Sequence, residues 1–368
     1  MENTTKQTTS DPTVINYYGD TNVGQARGHN EDSFIIVDLS EQTPAPMGYL
    51  LMIADGMGGA NAGEVASAIA CKEVENQVQQ LTYPLPPQDV EKYLKSLLIN
   101  AHHQIIEYAQ SNPECAGMGT TAVIAWILDG YLHVVWCGDS RCYVFQPDQE
   151  YPLQPFTEDH SLVWQMVQQG ELTPEQARVH EHSNIILQAL GSTDGKPTPS
   201  YLARKLDGKE KILLCSDGLN SMLSDFQIQQ IIENHSDVEK VTELLVQAAN
   251  NVGGLDNITV LYADVLSPGN TSHQAKGRSI LQTLKNKWIF VLITSIILSA
   301  LVVFVVRGEE NNHKMNINSE DSNRNQITAV NYHDLQLQPL INLQSLQVRG
   351  CFREISSIST NSENLRGK

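Results

Sequence analysis

Residues 54–67, ADGMGGANAGEVAS, constrain this chain more than any other stretch. They follow an apolar run, YLLMI at 49–53, and precede a helical pattern. A buried strand therefore breaks out into a glycine-rich turn with Asp55 at the corner. Gly56, Gly58 and Gly59 allow close backbone approach and conformations that other residues avoid. A carboxylate beside backbone carbonyls is the oxygen-rich chemistry that suits Mg2+ or Mn2+. A plain strand-to-helix turn with a capping aspartate fits this stretch equally well. The rest of the chain has to decide between the two.

Charge narrows the choice. Residues 1–267 hold 13 basic and 35 acidic residues, a balance of −22. Residues 268–306 hold four basic and no acidic ones, and seven of each cancel from 307 onward. Nucleic-acid binding needs Lys/Arg patches, so an acidic block of this size argues against it. It permits carboxylates that hold cations, although most of these charges only solvate a surface. Six cysteines (Cys71, Cys115, Cys137, Cys142, Cys215, Cys351) show no C-x-x-C spacing and several sit in apolar runs. They read as buried thiols in a reducing compartment. The polar segment 1–14 has no apolar core of a secretory signal and reads as a disordered arm.

In chain order, residues 15–24 read as a strand and turn, and RGHNED at 27–32 opens a second strand, SFIIVD. Arg27 has the geometry for bidentate phosphate binding, and Asp32 can hold or orient a metal. Asp20 and Glu31 read as surface charges. Residues 63–81 read as an amphipathic helix, with Ala66, Ala70, Val74 and Val78 every fourth position and Ile69 and Leu81 widening the stripe. Prolines at 84, 86 and 87 break it. A second helix follows, and its adjacent His102 and His103 read as surface or packing residues. Asp129-Gly130 marks a hairpin between two β-like runs. Residues 157–190 read as helix, turn, helix, with Thr173-Pro174-Glu175-Gln176 as a helix start and the look of a lid or insertion. KILLC at 211–215 reads as a strand, two helices follow near 225–233 and 237–250, and ITVLYADV is a last strand.

A recurrence now stands out. Asp55, Asp139, Asp217 and Asp256 each read as lying beside glycine at the end of a hydrophobic strand, and Asp32 at a strand start. One such aspartate is ordinary turn chemistry. Several on one sheet edge are the layout of a two-metal oxygen-ligand site. Strands and helices without regular βαβ alternation predict α+β layering.

These residues resemble the type 2C metal-dependent serine/threonine protein phosphatases (the PPM family) over about residues 15–265. RGHNED, ADGMGGANAGEVAS, GTTAV, CGDSRCY, EDHS, ILLCSDGLNSML and GGLDNITV stand in the family's order, and DGMGG resembles the bacterial branch. The resemblance implies a four-layer α-β-β-α sandwich of two mainly antiparallel sheets flanked by helices. It implies two Mg2+ or Mn2+ ions, with a third, weaker one. Asp55 would bridge the two ions, Gly56 would offer its carbonyl, and Asp217 and Asp256 would complete one sphere. Asp32 matches the outer, water-mediated position and Asp139 the weaker third ion. Arg27 matches the phosphate-binding arginine, and residues 156–191 fall where that branch carries a flap. The implied chemistry is in-line attack on phosphoserine or phosphothreonine by a hydroxide bridging the ions, with no phosphoenzyme. The chain departs from the animal pattern at Met57, where those enzymes carry a histidine thought to protonate the leaving group. Ala60 also replaces a commoner histidine.

Beyond the 15–266 catalytic domain, residues 267–287 read as a basic linker. Residues 288–306, WIFVLITSIILSALVVFVV, are uncharged and close to the ~20 residues that a bilayer span needs. Lys276, Arg278, Lys285 and Lys287 precede that run, while Glu309 and Glu310 follow it. The positive-inside rule then predicts a single-pass inner-membrane protein with a cytoplasmic catalytic domain and tail 307–368 outside. The tail reads as partly disordered and names no partner. The expected function is a membrane-anchored phosphatase acting on phosphorylated proteins, opposing a serine/threonine kinase. The alternatives are a non-catalytic phosphoprotein-binding adaptor of the same fold and an anchor whose tail acts outside.

Overall fold

The computed structural model describes residues 13–41, 46–58, 62–193 and 195–266. Residues 1–12 of the expected arm, the basic linker 267–287, the membrane span 288–306 and the tail 307–368 lie outside the described residues, as do Gly59 and Ala60. Among the described residues no helix is long and apolar enough to cross a membrane.

Among the described residues eleven strands form two antiparallel sheets. One sheet runs β1 (Val14–Asn22), β11 (Ile258–Leu266), β10 (Lys211–Cys215), β7 (Arg141–Phe145) and β8 (Leu153–Pro155). The other runs β2 (Asp32–Asp38), β3 (Tyr49–Met57), β5 (Ala122–Leu128), β6 (Tyr131–Cys137) and β9 (Ser200–Lys205), and the short β4 (Gly119–Thr120) pairs with the end of β3.

Strand periodicity builds three cores. Leu50, Met52 and Ala54 of β3 face α1 (Ala62–Gln79) and α2 (Pro87–Ser111). Leu51 and Ile53 face inward and meet Cys142, Ile212, Leu214 and Leu261 of the other sheet. The far side of that sheet, with Tyr143, Leu213 and Tyr262, packs on α5 (Asp217–Asn220), α6 (Asp225–Asn234) and α7 (Val238–Asn251). Central strands buried on both faces read as continuous apolar runs despite being antiparallel. The architecture is α+β, two antiparallel sheets between helical layers.

The expected stripe of α1 is buried at Ala66, Ala70, Val74 and Val78. The 129–130 turn has both residues at positive φ, as a two-residue hairpin requires. The helix-turn-helix reading of 157–190 resolves into two short helices, α3 (Leu162–Gln168) and α4 (Pro174–Arg178). The five described cysteines are buried thiols.

Candidate metal centre

Antiparallel pairing gathers distant segments at one end of the two sheets. Asp32, the first residue of β2, pairs in register with Asp55 near the end of β3. β10 ends at Cys215 opposite Arg141, the first residue of β7. Asp217 starts α5 immediately after β10. Residues 138–140 carry the chain from β6 in one sheet to β7 in the other, which places Asp139 at the same end.

Two readings need correction. Asp256 does not end a strand: it lies between α7 and β11, two residues before β11 begins. Glu31 is no surface charge. It is buried, and its Oε1 lies 3.1 Å from Nε2 of His29. Its backbone N–H donates to Asn257 Oδ1 (2.8 Å), and its carbonyl accepts from Ser67 Oγ (2.6 Å) and the Gly56 N–H (3.2 Å). The main chain beside Asp32 and Asp55 is thereby tied to the loop that precedes β11 and to α1. Glycine is obligatory at 56, because a Cβ there would collide with the carbonyl oxygens of Gly63 and Glu31.

Hydroxyls frame the carboxylates. Asp32 Oδ2 accepts from Ser216 Oγ (2.8 Å) and Thr259 Oγ1 (2.6 Å), so a β2 side chain bolts onto the opposite sheet. The Asp55 carbonyl accepts from the Thr121 N–H and from Thr120 Oγ1, both at 2.8 Å. Thr121 Oγ1 in turn accepts from the Asp55 N–H (3.2 Å) and lies 2.7 Å from Ser140 Oγ. Beneath Asp139, Arg141 donates through Nε and Nη2 to both oxygens of Asp159 (2.8 and 2.7 Å). Ser67, Thr120, Thr121, Ser140, Ser216, Asn257 and Thr259 have no role in the sequence reading, although they stand inside or beside the motifs.

The carboxylates destabilise one another. Burial, then the charges of Asp32, Asp217, Asp139 and Asp256, push Asp55 well above the ordinary carboxylate range. Burial and then Asp217 do the same to Asp139. Asp32 is pushed up to about 7 by burial, against the pull of its two hydroxyl donors, and Asp217 to about 6 by burial and then Asp256. Buried Asp32 Oδ1, Asp139 Oδ1 and Asp217 Oδ1 have no hydrogen-bond partner. Such orphaned anionic oxygens are costly unless a cation compensates them. Arg27 offsets this charge from the rim: its Nη2 donates to Asp256 Oδ2 (2.7 Å), both side chains are partly exposed, and its charge pulls Asp217 down in part.

As the side chains stand, no group of three His, Cys, Asp or Glu among the described residues is arranged to hold a metal ion. Asp32 spends one oxygen on Ser216 and Thr259, and Asp256 is turned to Arg27. The donor chemistry nevertheless fits a hard divalent cation: oxygen only, high negative charge, partner-free buried lone pairs.

The Protein phosphatase 2C family model matches residues 27–257. The chain belongs to this family. Serine/threonine phosphatase stp of Listeria monocytogenes is 33% identical over 244 residues, spanning 66% of this chain and 93% of that protein. The crystal structure of serine/threonine phosphatase Stp1 from Staphylococcus aureus matches with a TM-score of 0.63 at 32% identity, covering 69% of this chain and 96% of that one. The catalytic domain of serine threonine protein phosphatase PstP in complex with two manganese ions matches with a TM-score of 0.57 at 31% identity, covering 69% of this chain and all of that one. The phosphatase 2C match thus runs from Arg27 to Asn257 and contains every candidate site residue.

Proposed function

We propose that this phosphatase 2C chain is a membrane-anchored protein serine/threonine phosphatase. It removes phosphate from phosphoserine and phosphothreonine of proteins modified by a serine/threonine kinase. The observation that carries the reading is the cluster of buried Asp32 and Asp139 with half-buried Asp55 and Asp217, with its orphaned oxygens and raised carboxyl pKa values.

Asp55, Asp217, Asp256 and the Gly56 carbonyl would hold two Mg2+ or Mn2+ ions, with Asp32 behind them and Asp139 toward a third. Bound there, the ions would supply a nucleophilic oxygen from water at neutral pH and Lewis acidity toward the phosphoryl group. The chain's own contribution is placement. Glu31, Asn257, Thr120 and Thr121 fix the backbone that carries Asp32 and Asp55. Only one nitrogen of Arg27 is engaged by Asp256, so the guanidinium keeps donors for phosphoryl oxygens as charge builds on them. Met57 carries no proton to give, so the leaving oxygen draws its proton from another group.

Anchoring rests on the uncharged run 288–306 and the basic residues that precede it. With the span inserted, the catalytic domain faces the cytoplasm of a bacterial inner membrane and the tail faces outward.

Incubating the full chain with a phosphothreonine peptide and Mn2+ tests the activity. Phosphate release is expected, stopped by chelator and by Asp55→Ala; undiminished turnover in Asp55→Ala under excess chelator sinks the proposal. Alkaline extraction of membranes tests the anchor. The full chain is expected to stay in the pellet and a chain lacking 288–306 to leave it.

A further inference from the structure

A cavity of about 330 Å3 opens beside the acidic cluster but shares none of its chemistry. One wall is Met57, two residues beyond Asp55 on β3. The second is Met118 and Gly119, where Gly119 pairs directly with Met57 across the β3–β4 ladder. The third is Ala189 and Gly191, from the segment that returns from α4 toward β9, and the exposed Thr193 continues it. Among the described residues no charged side chain lines the cavity. In a region whose charge balance is −22, these described walls are uncharged and stand beside the acidic cluster.

The walls are built, not incidental. The Thr120 N–H donates to the Leu190 carbonyl (3.0 Å) and the Leu190 N–H to the Thr120 carbonyl (2.9 Å). Gly191 donates its N–H to Nδ1 of buried His102 on α2 (3.0 Å). Gly191 has φ +86°, and a Cβ there would lie 2.7 Å from the Met118 carbonyl oxygen. A Cβ on Gly119 would lie 2.9 Å from the Leu190 carbonyl oxygen. The backbones therefore meet without side chains between them, which fixes the walls against one another. Thr120, which closes this ladder, also donates its hydroxyl to the Asp55 carbonyl, so cavity and acidic cluster share one frame.

We infer that this cavity is a subsite for an uncharged, apolar side chain lying within two residues of the phosphorylated one. The inference rests on the reading of the chain as a phosphoprotein phosphatase. Three observations select the occupant. The offset from Asp55 to Met57 is about 7 Å, two residues of extended peptide. The volume lies at the lower end of the ~300–1,000 Å3 of small-ligand pockets, enough for one large side chain. The two methionines supply an adaptable apolar surface that accepts several shapes, while the neighbouring carboxylates disfavour an acidic residue.

The test uses the full chain with Mn2+ and three phosphothreonine peptides that differ only within two positions of the phosphothreonine. Those positions carry leucine, glycine or aspartate. The wild-type chain is expected to favour leucine over glycine by ~10-fold or more in kcat/KM, with aspartate last. Ala189→Phe, which fills the cavity, and Thr193→Trp, which covers it from an exposed position, are expected to bring the leucine-to-glycine ratio toward one. The ratio within one preparation cancels differences in folded fraction and metal loading, and Thr193→Trp decides the matter if Ala189→Phe misfolds by circular dichroism. A wild-type ratio of one, or a ratio unchanged in both variants, overturns the subsite. Wild-type turnover of p-nitrophenyl phosphate, which has no flanking residue, separates the two claims. Turnover with a ratio of one removes only the subsite, whereas no turnover of this ester or of any peptide removes the phosphatase reading with it.

Discussion

Two helices of this chain start with the same device and end in different circumstances. α4 begins at Thr173, whose hydroxyl accepts the Gln176 N–H while Gln176 returns a bond to the Thr173 N–H. α6 begins at Ser224 with the same reciprocal pair to Gln227. Both satisfy backbone donors that a helix start leaves orphaned. Yet α4 has five residues and buries only Ala177, whereas α6 has ten and sets fully buried Ile228 and Ile232 into the outer core. A cap decides where a helix begins. Packing decides whether the rest of the molecule notices.

The largest effect belongs to neither helix. Asp55→Asn keeps the shape of the acidic end and removes the charge proposed for cations, so Mn2+-dependent turnover should fall by at least ~10²–10³-fold; near-normal kcat would remove Asp55 from the site. Within the scaffold, Ile232→Ala should cost ~2–5 kcal/mol in denaturant unfolding, because it empties a fully buried position.

A pH experiment follows. Asp32 and Asp217 have folded pKa values above their ordinary 3.8, at about 7 and about 6. The native state therefore binds protons more tightly than the unfolded chain, and stability present below 3.8 is lost as pH rises through the folded values. Chelated protein should show a melting temperature that declines from pH 5 toward pH 7.5. Asp55→Asn should flatten the decline, and a rise in the chelated wild type would contradict the electrostatic picture.

Smaller still, Ser224→Ala should cost ~1 kcal/mol of global stability. The same change of cap at Thr173 should leave global stability within ~0.5 kcal/mol, and its effect should be confined to faster hydrogen exchange in 174–178. Equal global losses at the two caps would mean that α4 is as integral to the core as α6.

The same contrast explains what could be read from the sequence. β3, α1 and the 129–130 turn announce themselves because each obeys a local rule: an apolar run, a fourfold period, a pair of residues that tolerate positive φ. β9 does not. SYLARK is an edge strand with mixed exposure, and its pairing with β6 is set by a partner about seventy residues earlier. β8 has three residues and includes a proline. At the acidic end the aspartates are legible as residues beside glycines, but Asp256 reads as a strand end although the strand it serves starts after it. Glu31 reads as a surface charge because its burial comes from Asn257 and Ser67, 226 and 36 residues away. The hydroxyls that frame Asp32 and Asp55 are similarly invisible, since serine and threonine carry no period or spacing that says what they will face.

The segment that holds α3 and α4 is closed at its base. Ser161 and Ile186 form a bridge, the Leu162 N–H donates to Ile185 O (2.9 Å), and the Leu187 N–H donates to His160 O (2.7 Å). Below that closure, both strands of the stem are nailed to the frame, through His160 N–H to Gly138 O and through Leu190 to Thr120. The ends of the 162–185 stretch are thus held in a fixed socket, and Arg178 Nη1 adds one bond from it to Ser221 O (3.1 Å). The entropic cost of enlarging a loop whose ends are already joined grows by only ~0.6 kcal/mol per doubling of length. Lineages can therefore rewrite this stretch, and with it what the enzyme faces, without disturbing the geometry that positions Asp55.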